Sequence, residues 1–383
     1  MRRQLFLQIV AVFVFSVSAV FGLNNRSAVS LTGSDMASCT VPDPCRTFDV
    51  AISKTNSGGE VVVLSTAGYG PFTVTQSVSV ISPPAFHAAL APTTGTGITV
   101  NAPGATVILR NLYLNSLGAG TGISITTGTI VHIEGLVING FAGNGIEING
   151  MIGSAEIFVK DSEIRDNFAS GIYAGTSSGT AAVTVDHTRL ERNTYGLTAD
   201  SGVNLTVRDT VAARNYSNGF WFRNGGAMSR LRATVVNAIA SENFSGLASD
   251  GGFVAEGGAQ VAIRDSTATR NFSTGFRAFE STTPTEMSLD RCLATQNDQG
   301  ILAGAGFGTG TALIAVSNST ASFNASNGIV AGTNGRIIAF GNTVTKNGTG
   351  INGGAGTFDS LGHNAVLGNT TESVGTINPV PTM

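Results

Sequence analysis

Three stretches of the 383-residue chain carry one pattern: residues 161–172 read DSEIRDNFASGI, residues 186–197 read DHTRLERNTYGL and residues 265–276 read DSTATRNFSTGF. Each begins with an acid, has an Asn near its middle and ends in Gly followed by a large apolar residue. The Gly and apolar pair recurs every 22 to 29 residues. Its glycines are Gly122, Gly145, Gly171, Gly196, Gly219, Gly246, Gly275, Gly300, Gly328 and Gly350. A period of this size is the signature of stacked structural repeats, so the sequence predicts a solenoid of about ten coils.

Two further columns of residues accompany these glycines. An Asn stands three or four residues before most of them: Asn167, Asn193, Asn215, Asn243, Asn271, Asn297, Asn324 and Asn347. We expect these side chains to form a ladder, because an amide at the same turn of every coil can bond to its neighbours above and below. Ten residues before six glycines stands an acid or amide, which we expect to cap a second turn: Asp161, Asp186, Asp209, Asp265, Asp290 and Asn318.

Between these columns the chain alternates apolar and polar residues in short runs, as in Ala182–Val185, Leu205–Val207 and Val261–Ile263. Alternation with a period of two is typical of strands that bury one face. Three such strands per coil can bury that face only if the coils stack. The sequence therefore predicts an all-β protein, a single-stranded parallel β-helix.

Composition excludes one class of partner. The chain has 50 Gly, 42% hydrophobic and 12% charged residues, and its 21 basic and 24 acidic side chains leave a net charge of −3. Nucleic-acid binding needs clustered Lys and Arg. We therefore expect no nucleic-acid partner.

The N-terminal residues predict export. Two Arg residues precede an apolar stretch that ends in small residues, so residues 1–22 are interpreted as a signal peptide. An uncleaved membrane anchor remains the alternative, since the stretch approaches the roughly 20 residues that span a bilayer. Cys39 and Cys45 are expected to form a disulfide in an oxidising compartment, which leaves Cys292 unpaired. These features predict a secreted, periplasmic or cell-surface protein without a membrane contact after cleavage.

The ends of the solenoid need caps, because an open coil exposes strand edges. Residues 23–60 are interpreted as an N-terminal segment with Cys39, Cys45 and a short capping helix between Arg46 and Lys54. The β-helix is predicted over residues 61–358, and residues 359–383 are interpreted as a C-terminal cap and loose tail.

One part of the chain resembles a known group of proteins. The stretch from Cys39 to Pro83, with its PCRTF at residues 44–48, GGEV at 58–61 and GYG at 68–70, is similar to the bacterial secreted right-handed β-helix repeat proteins of the pectate-lyase-like superfold. The resemblance extends through the repeats and implies right-handed coils. It implies little about activity, because that superfold includes lyases, hydrolases, epimerases and adhesins.

Motifs of the enzyme branches are incomplete in this chain. The Asp-Asp pair of polygalacturonase-like hydrolases is missing, and only residues 362–364 and 336–338 approach their other two motifs. Val185, Asp186 and His187 match one strand motif of pectate lyases, but the accompanying Arg and acid motifs are missing. We therefore predict no catalytic residues, and we interpret Asp186 as a turn residue.

Residues that could contact a ligand cluster in the predicted loops after the glycine strands. The longest cover residues 221–229, 249–259 and 279–285, and they contain Trp221, Phe222, Arg223, Asp250, Glu256 and Glu280. A column of aromatic residues beside the Asn ladder is the second candidate, and its rings could face outward or fill the core: Phe168, Tyr195, Tyr216, Phe244 and Phe272.

Three functions fit these observations. The first is non-catalytic binding of a polysaccharide or a cell-surface partner by an extracytoplasmic β-helix. The second is a structural or adhesin-like solenoid. The third is a divergent polysaccharide lyase, hydrolase or epimerase, which would require carboxylates and Arg or Lys clustered within residues 221–286. We expect no cofactor and no metal site, because the four His residues are scattered and the acid column offers one carboxylate per coil.

Overall fold

The computed structural model describes residues 22–150, 153–225, 229–244, 250–279, 282–304 and 309–381. Within them the chain winds through short strands, and each strand pairs in parallel with the strands one coil before and one coil after it. The predicted all-β solenoid is confirmed. The predicted signal peptide lies outside the described residues. Within these ranges no helix is long and apolar enough to cross a membrane.

Three parallel sheets form the walls of the solenoid. The long sheet has 15 strands: Asn24–Val29, Thr55–Val63, Val78–Ile81, Thr106–Arg110, Ile130–Glu134, Ser154–Lys160, Thr180–Asp186, Val203–Arg208, Arg232–Val236, Gln260–Arg264, Thr285–Asp290, Ala312–Ser317, Gly335–Phe340, Thr357–Ser360 and Ile377–Pro379. The short sheet has 13 strands: Ala67–Gly68, Ala88–Leu90, Leu112–Asn115, Val137–Asn139, Glu163–Arg165, Arg189–Glu191, Val211–Ala213, Ile239–Ser241, Thr267–Thr269, Leu293–Thr295, Thr320–Ser322, Thr343–Thr345 and Ala365–Val366. The glycine sheet, which contains the repeated glycines, also has 13 strands: Phe72–Val74, Thr96–Val100, Thr121–Ile125, Ile146–Ile148, Ser170–Ala174, Tyr195–Ala199, Phe220–Phe222, Gly251–Ala255, Thr274–Ala278, Gln299–Ala303, Asn327–Ala331, Thr349–Asn352 and Thr371–Val374.

Alternating residues of each strand face the core. In the strand Ser154–Lys160, Ala155, Ile157 and Val159 are buried. Identical positions stack from coil to coil, since Phe220, Phe253 and Phe276 are neighbours with ring centres 4.8 and 5.0 Å apart. The core is therefore a set of apolar columns along the axis, and its burial holds the coils together.

The predicted Asn column forms a hydrogen-bonded ladder inside the turn before the glycine sheet. The Asn193 Oδ1 accepts both the backbone N–H and the side-chain amide of Asn167, at 3.1 and 2.9 Å. The same pattern continues through the predicted residues, and Asn369 extends it by one more coil. The ladder side chains from Asn167 to Asn347 are buried, so the ladder supplies partners to polar groups that water cannot reach.

The Asn ladder also explains why the recurring residue is glycine. A Cβ atom on Gly171 would lie 2.8 Å from the Asn193 Nδ2 and 2.8 Å from the Gly196 carbonyl oxygen. Real Cβ atoms do not approach other atoms this closely. The Gly column is thus required by the close approach of the next coil's Asn.

Two predicted acids lie one position away from the expected turn. The left-handed residues of that turn are Asp161, Asp209 and Asp265, but His187 and Arg291 take this position in their coils, with φ of 46° and 51°. Asp186 and Asp290 instead end strands of the long sheet. The displacement arises because the turn between Asn and Gly is one residue shorter in those two coils, so the count back from Gly was wrong by one.

The insertion in one coil also lies elsewhere than expected. The Gly and apolar pair of that coil was assigned to Gly246 and Leu247, which lie outside the described residues. The structure places Gly252 and Phe253 in the glycine column, since Phe253 pairs with both Phe220 and Phe276. The extra residues of this coil therefore precede its glycine strand.

At the N-terminal end, the helix Phe48–Ser53 buries Phe48, Ala51 and Ile52 against the first strands. Cys39 and Cys45 form a disulfide with Cα atoms 4.6 Å apart. The long sheet begins before this helix, at Asn24, so the segment 23–60 takes part in the sheet as well as capping it.

At the C-terminal end, coils continue beyond residue 358. The strands Ala365–Val366, Thr371–Val374 and Ile377–Pro379 extend all three sheets into residues 359–383, which were interpreted as a cap and tail. The glycine count missed this coil because its glycine-sheet strand, Thr371–Val374, has no glycine.

Cys292 occupies a column of small polar residues at the turn after the long sheet. Its Sγ lies 3.5 Å from the Asp290 carbonyl oxygen, where the Ser266 and Ser319 hydroxyls make the equivalent bond two residues back. Burial raises the pKa of the Cys292 thiol to about 11. Cys292 is therefore a protonated, structural replacement for serine.

Candidate functional site

The outer face of the glycine sheet brings together five of the predicted contact residues. Strands pair in register, so the residue two positions after each glycine lines up with its equivalents, as do Tyr173, Thr198 and Trp221. Residues four positions after the glycine form a parallel column, which includes Asp200, Arg223 and Glu256. We define the platform as these residues and their neighbours on this face: Tyr173, Tyr195, Asp200, Trp221, Arg223, Asp250, Glu256 and Arg277.

Trp221 is the central side chain of the platform. Its ring lies 4.7 Å from the Tyr195 ring, and the Arg223 guanidinium lies 4.9 Å from its centre. Its indole N–H lies beside the Glu256 carboxylate and lowers the pKa of that group. These contacts hold the half-buried indole in one orientation. A ligand that stacks on it would therefore cost little side-chain entropy.

Asp200 holds Arg223 in place. Its Oδ2 lies 3.0 Å from the Arg223 Nε, and its Oδ1 accepts the backbone N–H groups of Ser201 and Gly225 at 2.7 and 2.9 Å. The Asp200 side chain is only 11% exposed. A buried carboxylate with three donors is a stable anchor for a guanidinium.

The pKa values of Glu256, Tyr173 and Tyr195 are all raised from their ordinary values. Burial raises the pKa of Glu256, and Arg223 and the Trp221 hydrogen bond partly oppose this. Burial likewise raises the pKa of Tyr173 and of Tyr195, so both hydroxyls stay protonated in neutral solution and can donate hydrogen bonds.

A depression of about 240 Å³ lies beside Arg223. Asn149, Tyr173, Asp200 and Arg223 line it, together with backbone of the neighbouring loops. Sites that enclose a whole small molecule are usually about 300–1,000 Å³. This smaller, polar depression suits one unit of a longer ligand that lies along the sheet.

Some predicted contact residues do not reach this surface. Phe222 is fully buried in the core, because it alternates with Trp221 on a strand, so its prediction as a ligand contact was wrong. Residues 220–222 and 251–255 are strands, although parts of both were predicted as loops. Glu280 lies outside the described residues.

The aromatic column beside the Asn ladder points outward. Phe168, Tyr216, Phe244 and Phe272 each follow a ladder Asn and are 50–80% exposed, and we call these four residues the aromatic ridge. Tyr195 does not belong to the ridge, because Thr194 takes the position after Asn193 and Tyr195 begins a strand. The ridge runs parallel to the platform along one edge of the glycine sheet.

Three potential metal ligands meet at another turn. One ligand atom from each of Asp186, His187 and Asp209 lies within 4.8 Å of the others. Asp186 is bonded to the His187 ring at 2.8 Å, and Asp209 accepts a hydrogen bond from Asn237. Exposed groups of this kind form surface hydrogen bonds without an ion, and we assign no metal to them.

Asp200, Tyr173 and Arg277 were missed in the sequence. Each stands two or four residues after a repeated glycine, which is where Trp221, Arg223 and Glu256 stand in their own coils. Counting forward from the glycines assigned in the sequence would have placed Tyr173, Asp200 and Arg277 on one face with Trp221 and Arg223.

Comparison with known proteins supports the fold. A family model described as the right handed beta helix region matches residues 96–253. The A-module of the mannuronan C-5 epimerase AlgE4 from Azotobacter vinelandii is similar with a TM-score of 0.53 and 13% identity, over 85% of this chain and 91% of that one. The catalytic domain of a GH87 α-1,3-glucanase gives 0.48 and 12% over 88% and 68%, and pectate lyase Pel9A gives 0.37 and 13% over 92% and 78%. No curated protein sequence matches the chain. The family model and the likeness to the AlgE4 module, at 13% identity, show the right-handed parallel β-helix and no activity.

Proposed function

We propose that this right-handed parallel β-helix protein binds polysaccharide outside the cytoplasm, on the platform, without cleaving it. The observation that carries the proposal is the half-buried Trp221 ring, which contacts Tyr195 and Arg223 and lies beside Glu256. An immobile aromatic ring beside paired charged groups can stack on the C–H face of a sugar and bond to its hydroxyls. The Cys39–Cys45 disulfide and the apolar N-terminal stretch support an oxidising location.

The platform has the charged groups that an enzyme would require, since Asp250 and Glu256 lie near Arg223 within residues 221–286. The contacts of Asp200 nevertheless favour binding without turnover. Its two oxygens are occupied by Arg223, Ser201 and Gly225, so this carboxylate is placed to hold a guanidinium rather than to accept a proton from water.

The aromatic ridge favours a second candidate function, attachment to a cell-surface partner. Phe168 and Tyr216 are 80% and 74% exposed, and exposed aromatic side chains in a row commonly mark interaction surfaces. This function uses a different surface from the platform, so the two can be separated by substitution.

The first prediction concerns Trp221. The Trp221→Ala variant should bind a retained polysaccharide at least tenfold more weakly, about 1.4 kcal/mol, because it removes the stacking surface. Affinity electrophoresis through gels with single polysaccharides measures this. Tyr113→Ala, a change at a ring 37% exposed on the short sheet, is the matched control and should bind like the unaltered protein.

The same polymers should be incubated with the protein and assayed for new reducing ends and for unsaturated products. Neither should form. Products from any polymer would contradict the non-catalytic proposal, and retardation that depends on Phe168 and Tyr216 but not on Trp221 would favour the ridge.

A further inference from the structure

The charges of the platform restrict the kind of polysaccharide that it can hold. Among the residues of the platform, the guanidinium groups of Arg223 and Arg277 stand against the carboxyl groups of Asp200, Asp250 and Glu256. Two positive groups against three acids leave no excess of positive charge. A polyuronate carries a carboxylate on every unit and would need such an excess.

Arg223 is already committed to groups of the protein. It pairs with Asp200 at 3.0 Å, and its guanidinium lies against the Trp221 ring at 4.9 Å. To bind a ligand carboxylate it would have to leave Asp200, whose side chain is 11% exposed. Removing one partner of a buried ion pair is costly, because the other charge stays behind without compensation.

Arg277 is also withdrawn from the surface. Only 5% of its area is exposed, and its guanidinium lies 3.7 Å from the centre of the Phe279 ring. Glu256, in contrast, lies beside the Trp221 ring at which a sugar would stack. The stacking surface therefore has an acid beside it, while the charge of Arg223 is already paired with Asp200.

We propose that the platform selects neutral polysaccharides and rejects acidic ones. This inference rests on the proposed function and specifies its ligand class. The hydroxyl groups of a neutral sugar can donate to Glu256 and accept from Arg223 without disturbing the Asp200 pair. A uronate at the same position would place its carboxylate beside Glu256, and like charges in contact are destabilising.

The experiment compares binding to four soluble polymers, a neutral β-glucan, a neutral galactan, alginate and polygalacturonate, by affinity electrophoresis of the full protein. At least one neutral polymer should retard it, with a Kd at least tenfold below that of either acidic polymer. Glu256→Gln should strengthen binding to the acidic polymers severalfold. Glu156→Gln removes an exposed acid from the long sheet and is the control for net charge, and it should leave acidic-polymer binding as weak as before.

Three results would contradict the inference, and they have different consequences for the proposed function. Tighter binding to alginate or polygalacturonate than to both neutral polymers would overturn the inference and leave the proposed polysaccharide binding intact. An equal effect of Glu256→Gln and Glu156→Gln would also overturn it, because the selection would then come from overall charge. Retardation by none of the four polymers would overturn both the inference and the proposed function.

Discussion

Glu256 is a residue of the platform whose ionisation also affects the stability of the protein. Its carboxyl is partly buried beside Trp221, and burial raises its pKa above the value of an exposed Glu. A raised carboxyl pKa means that folding favours the protonated form. The stability from this preference is fully present below the pKa of the unfolded chain and is lost as the pH rises through the folded pKa.

Glu256→Gln should therefore gain stability relative to the unaltered protein at pH 8 and lose that advantage at pH 4. Gln keeps an acceptor for the Trp221 indole N–H but has no charge to bury. Thermal melting of both proteins at the two pH values measures the difference. Glu156→Gln, at an exposed position, should show no such pH dependence, and an equal advantage of Glu256→Gln at both pH values would contradict the explanation.

At the scale of the elements, the Asn ladder and the Gly column depend on each other. The Asn243 side chain donates to the Ala212 carbonyl and the Asn271 Oδ1, at 3.1 and 2.9 Å, and its Oδ1 accepts two bonds from Asn215. The amide of the next coil, Asn271, occupies the space that a Cβ on Gly252 would need. Neither column can be changed without disturbing the other.

Asn243→Ala should destabilise the protein by about 1–3 kcal/mol, because it leaves buried groups of two coils without partners. Urea denaturation measures the change. Asn204→Ala makes the same substitution at an exposed position of the long sheet and should cost less than about 0.5 kcal/mol. Equal midpoints for the two variants would show that the ladder contributes nothing to stability.

The Gly275→Ala variant tests how much the Gly column contributes to stability. Its added Cβ would lie 2.7 Å from the Gly300 carbonyl oxygen and 2.9 Å from the Asn297 Nδ2, so neighbouring coils must separate, at a cost of about 1–3 kcal/mol. Gly68→Ala is the control, because nothing lies within 4 Å of a Cβ there. The same denaturation curves should shift for Gly275→Ala only.

At the scale of the whole molecule, each coil contacts the coils directly before and after it. Strand pairs such as Thr343–Thr345 with Thr320–Ser322 and with Ala365–Val366 repeat the same register. Stability is therefore close to a sum of similar interfaces between neighbours. The protein should therefore still fold when the number of coils changes, but not when the register between neighbouring coils is lost.

Deletion of residues 324–346, one full coil, should give a folded protein. The deletion joins Phe323 to Asn347, so Asn297 would stack on Asn347 and every column would continue, in a rod about 4.8 Å shorter. Circular dichroism and small-angle X-ray scattering measure its folding and length. Deletion of residues 335–346 removes two strands without the glycine strand and should abolish cooperative folding; if it folds as well as the full-coil deletion, stacking in register is not required.

The sequence by itself determined the repeated coil, the Asn ladder and the position of the core, because these depend on contacts that recur identically in every coil. Any position that must fit the same neighbour many times shows its requirement as a column in the sequence, as Gly171 and Asn193 do. Counting from the glycines failed where a coil departs from the repeat. The glycine-sheet strand of the last coil has no glycine, the turn between Asn and Gly is one residue shorter in the coils of His187 and Arg291, and the inserted coil has extra residues before Gly252.

The platform was decided by the tertiary structure. Trp221, Arg223 and Glu256 were predicted as contact residues from their loops. Asp200 and Tyr173 lie 21 and 48 residues before Trp221 and join it only because coils stack in register. The same stacking decided which rings are available, since it turns Trp221 outward and Phe222 into the core on one strand. Local patterns repeat along a chain, whereas the charge balance around a single side chain depends on which coils become its neighbours.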